Sequence, residues 1–369
     1  SRAPAWSALL AARRTGIPFV TTYHGSYNQK WRIKALYNSV MARADIVIAN
    51  SQWTADLVAS RNPWAKDRIR VIHRGTDYDV FKSASVSDER RDRLRHQWGI
   101  GENDITIVQL ARLTGWKGQA VVIDAAARLV KDHKNLKFIL AGDAQGRDDY
   151  LAMLQQKINH HGLEEHVVLP GHCDDPAAAM SIADLVLVAS IQAEAFGRAA
   201  VEAGALERPV IVSRIGAVGE TVLAEPEVNE SERTGWKVEP GDPDLLAQAV
   251  RECLMMDSKQ RHAIGSRARS HGKRHFSLQQ MCNKTIAIYQ GLLDLGNDMS
   301  YYDPKFKDSK IEDILNTDIV FIAVPTIPNE KNECDLSILN KVLDDLKKIN
   351  YKGIICIKST ITPGTTQSM

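Results

Sequence analysis

No apolar run in the 369 residues approaches the roughly 18 that a helix needs to span a bilayer, and no signal-peptide pattern opens the chain. Cysteine is scarce: five residues, at 173, 253, 282, 334 and 356, with no C-x-x-C among them. Neither a disulfide framework nor a zinc cluster is expected, and the thiols read as reduced. Charge of one sign is lacking too, since the net charge is only +2, so nothing global points to nucleic acid or a strongly acidic partner. What remains is ordinary globular composition, 44% hydrophobic and 25% charged, enough for two or three domains.

One absence is local. Residues 1–293 hold 25 Arg and 13 Lys against 33 acidic residues, whereas residues 294–369 hold nine Lys, 12 acidic residues and no Arg. All seven Trp precede the break, and Ala323 is the only alanine after it. So abrupt a shift suggests two unrelated origins joined near residue 294, by an artificial or aberrant junction or by a natural fusion. Upstream, short β-branched runs alternate with longer helical segments, the pattern of parallel α/β sheets. Strands are expected at 17–22, 45–49 and 69–73, then at 105–110, 137–141, 167–169, 184–189, 209–213 and 236–239. Helices are expected at 118–130 and 245–256, among others. The polar stretch 82–95 reads as the connection between two doubly wound domains. The first, with three strands, reads as incomplete at its amino end, because the chain opens at Ser1 directly in an Ala-rich helical pattern. The expected domains are 1–96, 97–293 and a tail, 294–369.

Three features could carry chemistry. Gln109-Leu-Ala-Arg-Leu-Thr-Gly-Trp-Lys-Gly118 is a strand running into a loop, where Arg112 and Lys117 could meet a phosphate at the carboxyl edge of the sheet, or be two solvated cations. Glu194-Ala-Phe-Gly-Arg-Ala-Ala-Val-Glu202 places Gly197 at a helix start, where backbone N–H groups can face an anion. Its two carboxylates could serve a glycosidase, whose carboxyls sit ~5–9.5 Å apart. Eight helical residues separate them by about 12 Å, so recognition of a sugar and a ribose by one carboxylate each is more natural; a solvated helix face is the plain alternative. The third is His24, in Thr21-Thr-Tyr-His-Gly25 at a strand end, either a ligand donor or structural. The cluster His160, His161, Glu164, Glu165, His166 lacks H-E-x-x-H spacing and reads as a solvated turn. No metal site is expected. Residues 30–43, with Trp31, Ile33, Leu36 and Val40 among cations, read as a core-facing helix with a basic edge, with a membrane-surface helix as the alternative.

Taken in order, Arg112…Lys117, Gly142-Asp143, Leu169-Pro-Gly-His172, the E-x7-E pair and Gly235-Trp-Lys-Val-Glu-Pro-Gly-Asp242 resemble the retaining glycosyltransferases of family 4. The likeness spans about residues 1–293. It implies the GT-B fold, a pair of Rossmann-type domains, and transfer of a hexose from a UDP-, GDP- or ADP-sugar to a glycan or lipid-linked acceptor, as in polysaccharide biosynthesis, with retained configuration and no required cofactor. By position, Arg112 and Lys117 would neutralise the donor diphosphate, Glu194 would hold donor-sugar hydroxyls, and backbone at Phe196, Gly197 and Arg198 would meet sugar and phosphates. Glu202 would take the ribose, Gly171 and His172 would lie near the base, and His24 would reach the donor sugar from the acceptor side. The family's Gly-rich loop, which precedes these motifs, is not found, and poor turnover is expected for this chain as given. A cytoplasmic location is expected, with peripheral contact at the inner membrane face allowed.

The tail has its own likeness. Asp318-Ile-Val-Phe-Ile-Ala-Val-Pro-Thr326, a helical run near 336–347, a strand at 353–357 and the turn Lys358-Ser-Thr-Ile-Thr-Pro-Gly-Thr365 resemble the NAD-binding domain of the UDP-glucose/GDP-mannose dehydrogenases. That resemblance implies Thr326, Ser359 and Thr360 near an NAD, in a partial Rossmann-like segment without G-x-G-x-x-G. Two other functions therefore stand beside the transferase: an NAD-dependent dehydrogenase fragment, and a nucleotide-binding remnant without turnover.

Overall fold

The computed structural model describes residues 2–25, 31–293, 310–317, 319–322 and 337–357. The chain divides into two compact units, Ser1–Ile286 and Ala287–Met369.

The first unit holds two parallel sheets. β1 (Val20–Tyr23), β2 (Ile46–Ala49) and β3 (Ile69–Val71) lie in sequence order. The second sheet comprises β4 (Ile105–Leu110), β5 (Leu136–Ala141), β6 (Val167–Val168), β7 (Leu185–Val188), β8 (Val210–Ser213) and β9 (Trp236–Val238), in spatial order β6-β5-β4-β7-β8-β9. All nine expected strands are present, some shortened or shifted at their ends. Their near-continuous apolar runs follow from burial on both faces. In β4, Ile107 enters one core with Phe138 and Leu187, while its neighbour Val108 enters another with Ile139 and Val186. Order reverses between β4 and β7, so the loops leaving these two strands border a crevice at the sheet's carboxyl edge.

Helices cover both faces. Gln119–Leu129 buries Val122, Ile123, Ala126 and Leu129 against the sheet. Pro243–Met255 opens with proline, and the Asp242 carboxylate accepts from the amides of Asp244 and Leu245 at 2.9 and 3.0 Å.

One expectation is extended and another needs correction. The stretch 82–95 is more than a connection: it contains most of a helix, Asp88–Gln97, that packs Leu94 beside Val86 and Trp98 in the second sheet's core, and Arg90 clamps Asp175 at 2.7 Å. In the segment 30–43, the described helix Arg32–Asn38 does not face the core. Trp31, Ile33 and Leu36 are 75%, 83% and 59% exposed, and of the four apolar positions only Val40, in the 3-10 turn that follows, is buried. Apolar spacing defines a face but not what covers it.

Within the second unit, β10 (Ile319–Ile322) and β11 (Ile354–Ile357) pair in parallel, and the intervening helix Ser337–Lys348 buries Leu339, Leu343 and Leu346 in a small core with Ile314. Thr326, Ser359 and Thr360 lie outside the described residues.

Candidate active site

The loop after β4 is pressed onto the end of β7. Gly118 adopts φ +75°, and a Cβ there would stand 1.9 Å from the Ala189 carbonyl oxygen, so only glycine fits. The Ile191 amide donates to the Trp116 carbonyl at 2.8 Å, and the Gln109 side chain donates to the Lys117 carbonyl at 2.7 Å. This seating brings together two of the residues expected from sequence. Lys117 Nζ lies 2.7 Å from Glu194 Oε1, with both side chains mostly buried, and 4.4 Å from the Trp116 ring centroid. Ser190 Oγ donates to the same carboxylate oxygen. Lys117 and Glu194 thus neutralise each other, and a diphosphate or a sugar hydroxyl at this place would share that pair.

Gly197, at φ +82°, turns the chain into the helix Arg198–Ala205, and no side chain caps its first amides. One turn in, Glu202 is 8% exposed and receives Arg198 Nε and Nη2 at 3.1 and 2.7 Å. Burial pushes the Glu202 carboxyl above its ordinary value, and the Arg198 charge works against that rise. Phe196 turns its ring away into a cluster with Val201 and Phe276, so only its backbone could meet a ligand.

Beside the crevice, a cavity of about 230 Å³ is lined by Arg112, Gly142, Asp143, His172 and Cys173. Its floor is fixed by backbone: the Gly142 amide donates to the Gly171 carbonyl at 2.7 Å, and a Cβ on Gly142 would stand 1.8 Å from the Ala111 oxygen. Arg112 is exposed at the rim, and His172 Nε2 meets Asp174 at 3.0 Å. Among the described residues no group of His, Cys, Asp and Glu could hold a metal ion.

His24 stands exposed one residue past β1, with Arg74 Nη2 at 3.0 Å from its Nδ1. A guanidinium can only donate, so Nδ1 accepts and the ring carries its proton on Nε2.

Several contributors have no place in the sequence reading. Glu220, just beyond β8, accepts from the amides of Gln52 and Trp53 at 2.8 and 2.6 Å, at the start of the helix Gln52–Arg61, and pairs with His73 Nε2 at 3.0 Å. It fastens the second sheet's loops to the first. Burial resists its ionisation, but the hydrogen bonds from His73, Trp53 and Gln52 prevail and hold it below the ordinary carboxylate range. A second tie joins the Thr76 amide to the Phe276 carbonyl at 2.8 Å and the Leu278 amide to the Thr76 carbonyl at 3.0 Å. Arg74 had a signal, a cation just past a strand as with His24; Glu220 had none, its partners lying 147 to 168 residues away.

Comparison with known proteins bears on this arrangement. Residues 90–271 match the family Glycosyl transferases group 1, residues 1–80 match Glycosyltransferase Family 4, and residues 278–369 match the UDP-glucose/GDP-mannose dehydrogenase family, NAD binding domain. A glycosyltransferase from Rickettsia africae is 31% identical, with a TM-score of 0.71 over 79% of this chain and 75% of that one. Anabaena Alr3699/HepE in complex with UDP-glucose is 28% identical, with a TM-score of 0.68 over 79% and 77%. D-inositol 3-phosphate glycosyltransferase 1 of Catenulispora acidiphila is 26% identical over 78% of this chain and 70% of its own length. These structural neighbours share the paired parallel sheets of the GT-B fold.

Proposed function

Over residues 1–80 and 90–271 the chain belongs to the group 1 and family 4 glycosyltransferases, and on that premise we propose that it moves a hexose from UDP to a hydroxyl of a glycan, lipid-linked or phosphorylated polyol acceptor, with retained configuration. The observation that carries this is the convergence of the pairs Lys117–Glu194 and Arg198–Glu202 at the carboxyl edge of the second sheet, on either side of Gly197. UDP is favoured as the carrier because HepE binds UDP-glucose. In transfer, the bond between the anomeric carbon and the β-phosphate oxygen breaks, and its electron pair stays on the diphosphate. The acceptor oxygen bonds to the same face of the carbon, and its proton goes to the departing phosphate. Arg112 and Lys117 offset the charge that develops there. Glu194 holds sugar hydroxyls, Glu202 holds the ribose, Gly171 and His172 flank the base, and His24 reaches the donor sugar from the acceptor side.

The exposed Trp31, Ile33 and Leu36 beside Arg32 and Lys34 support peripheral contact with an anionic membrane face. The NAD reading of the tail finds less support. No G-x-G-x-x-G occurs in residues 278–369, so the usual pyrophosphate cradle is not there and no step is assigned to NAD.

The test is release of UDP from UDP-glucose in the presence of acceptor, followed by NMR of the product's anomeric proton. An α-linked product, and loss of release in Glu194→Gln, support the proposal. A β-linked product refutes retention, and release undiminished in Glu194→Gln refutes the site.

A further inference from the structure

Among the described residues, Arg74, Arg112, Lys117 and Arg198 are cations on the site's loops and helix start, and two of them are already matched. Lys117 is paired with Glu194 and Arg198 with Glu202. The other two, Arg112 and Arg74, have no carboxylate within 4.0 Å among the described residues. Arg112 is exposed, where water can solvate it; Arg74 is half-buried. Among the described residues its side chain hydrogen-bonds to His24 Nδ1, which is neutral at the accepting atom.

Arg74 also faces a like charge. Its neighbour His73 meets the Phe196 ring at 6.1 Å between centroids, and both rings pack on Phe276. Thr54 Oγ1 reaches the Ala195 carbonyl at 3.4 Å beside them. Residues 74 and 198 are therefore brought close from the two sheets. Burial, and then the charge of Arg198, hold the Arg74 guanidinium below its ordinary value. Folding that leaves a half-buried cation beside another, with no counter-ion of its own, is unfavourable unless an anion joins them.

We propose that Arg74 is a substrate-binding residue that grips an anionic group, phosphate or carboxylate, in the space it shares with His24 and Arg198. It rests on the donor-site reading above. The anion has two possible sources, the diphosphate of the donor or a charged group on the acceptor. The first makes Arg74 part of donor binding, and the second makes it a selector for anionic acceptors.

The experiment titrates the full chain, as wild type, Arg74→Gln and Arg74→Lys, with UDP, with uridine, and with inorganic phosphate in the presence and absence of UDP. If the donor is the source, Arg74→Gln weakens UDP by about tenfold or more and leaves uridine unchanged. If the acceptor is the source, UDP binds as before and phosphate binding in its presence is lost. Arg74→Lys recovers part of either loss. In the wild type, UDP or phosphate also shields Arg74 from phenylglyoxal, a readout that does not depend on any variant folding. Wild-type affinities for both ligands in Arg74→Gln, or unshielded Arg74 at saturation, overturn the proposal. Phosphate held through Arg74 by a chain that binds no nucleoside diphosphate would overturn the donor reading and leave this one standing.

Discussion

Replacing Glu220 with alanine should loosen the two sheets of the first unit from each other without unwinding either. The carboxylate accepts two backbone amides and a histidine from the first sheet's side. The helix Gln52–Arg61 keeps its own cap, because Ser51 Oγ still accepts from the Thr54 amide at 3.0 Å. The loss is therefore one of docking. A hydrogen bond to a charged group contributes roughly 1.5–3 kcal/mol, and three on one carboxylate are not additive. With the Glu220 side chain 24% exposed, about 2–3 kcal/mol is expected for the set, or a fall in Tm of about 3–5 °C for a unit of this size. Direction with pH follows from the depressed carboxyl. Its contribution is complete above the unfolded-state value of about 4.3 and is lost as pH falls through the lower folded value. Melting curves of wild type and Glu220→Ala should thus differ at pH 7 and draw together as the pH falls below about 4.3. Equal melting at pH 7, or a gap that widens on acidification, would refute the reasoning.

Other substitutions probe the remaining contacts. Gly118→Ala drives a methyl into the Ala189 carbonyl, so the loop after β4 must move; a loss of about 3 kcal/mol or more is expected by urea unfolding, together with weaker UDP binding. Glu202→Gln keeps shape and removes a carboxylate that burial already disfavours; melting should change little while UDP affinity by calorimetry falls about tenfold. Trp31→Ser with Ile33→Ser should leave melting unaltered and abolish sedimentation with vesicles of anionic lipid; sedimentation that persists would remove the membrane proposal.

Much of the fold was legible because it depends on local pattern. Each strand of the first unit shows as an apolar run because both its faces are covered, and glycines at 118, 142 and 197 punctuate the loops where a Cβ has no room or φ turns positive. Spacing within one segment sets Arg198 and Glu202 one turn apart, where they pair, although the roles expected for them were separate, backbone at 198 for sugar and phosphates and Glu202 for the ribose. What escaped depends on partners far along the chain. Glu220 and Arg74 acquire their meaning only when one sheet meets the other. Lys117 and Glu194 were read as two separate ligand contacts, and their pairing with each other follows from a loop seated by Gly118. Phe196 lies in the motif, yet its ring belongs to the packing around Phe276.

The most direct measurement is a calorimetric titration of UDP-glucose into the wild-type chain and into the double variant Arg112→Ala, Lys117→Ala. Saturable binding by the wild type that the double variant loses is the predicted result. Binding retained by the double variant, or none by the wild type, would contradict a donor site at the carboxyl edge of the second sheet.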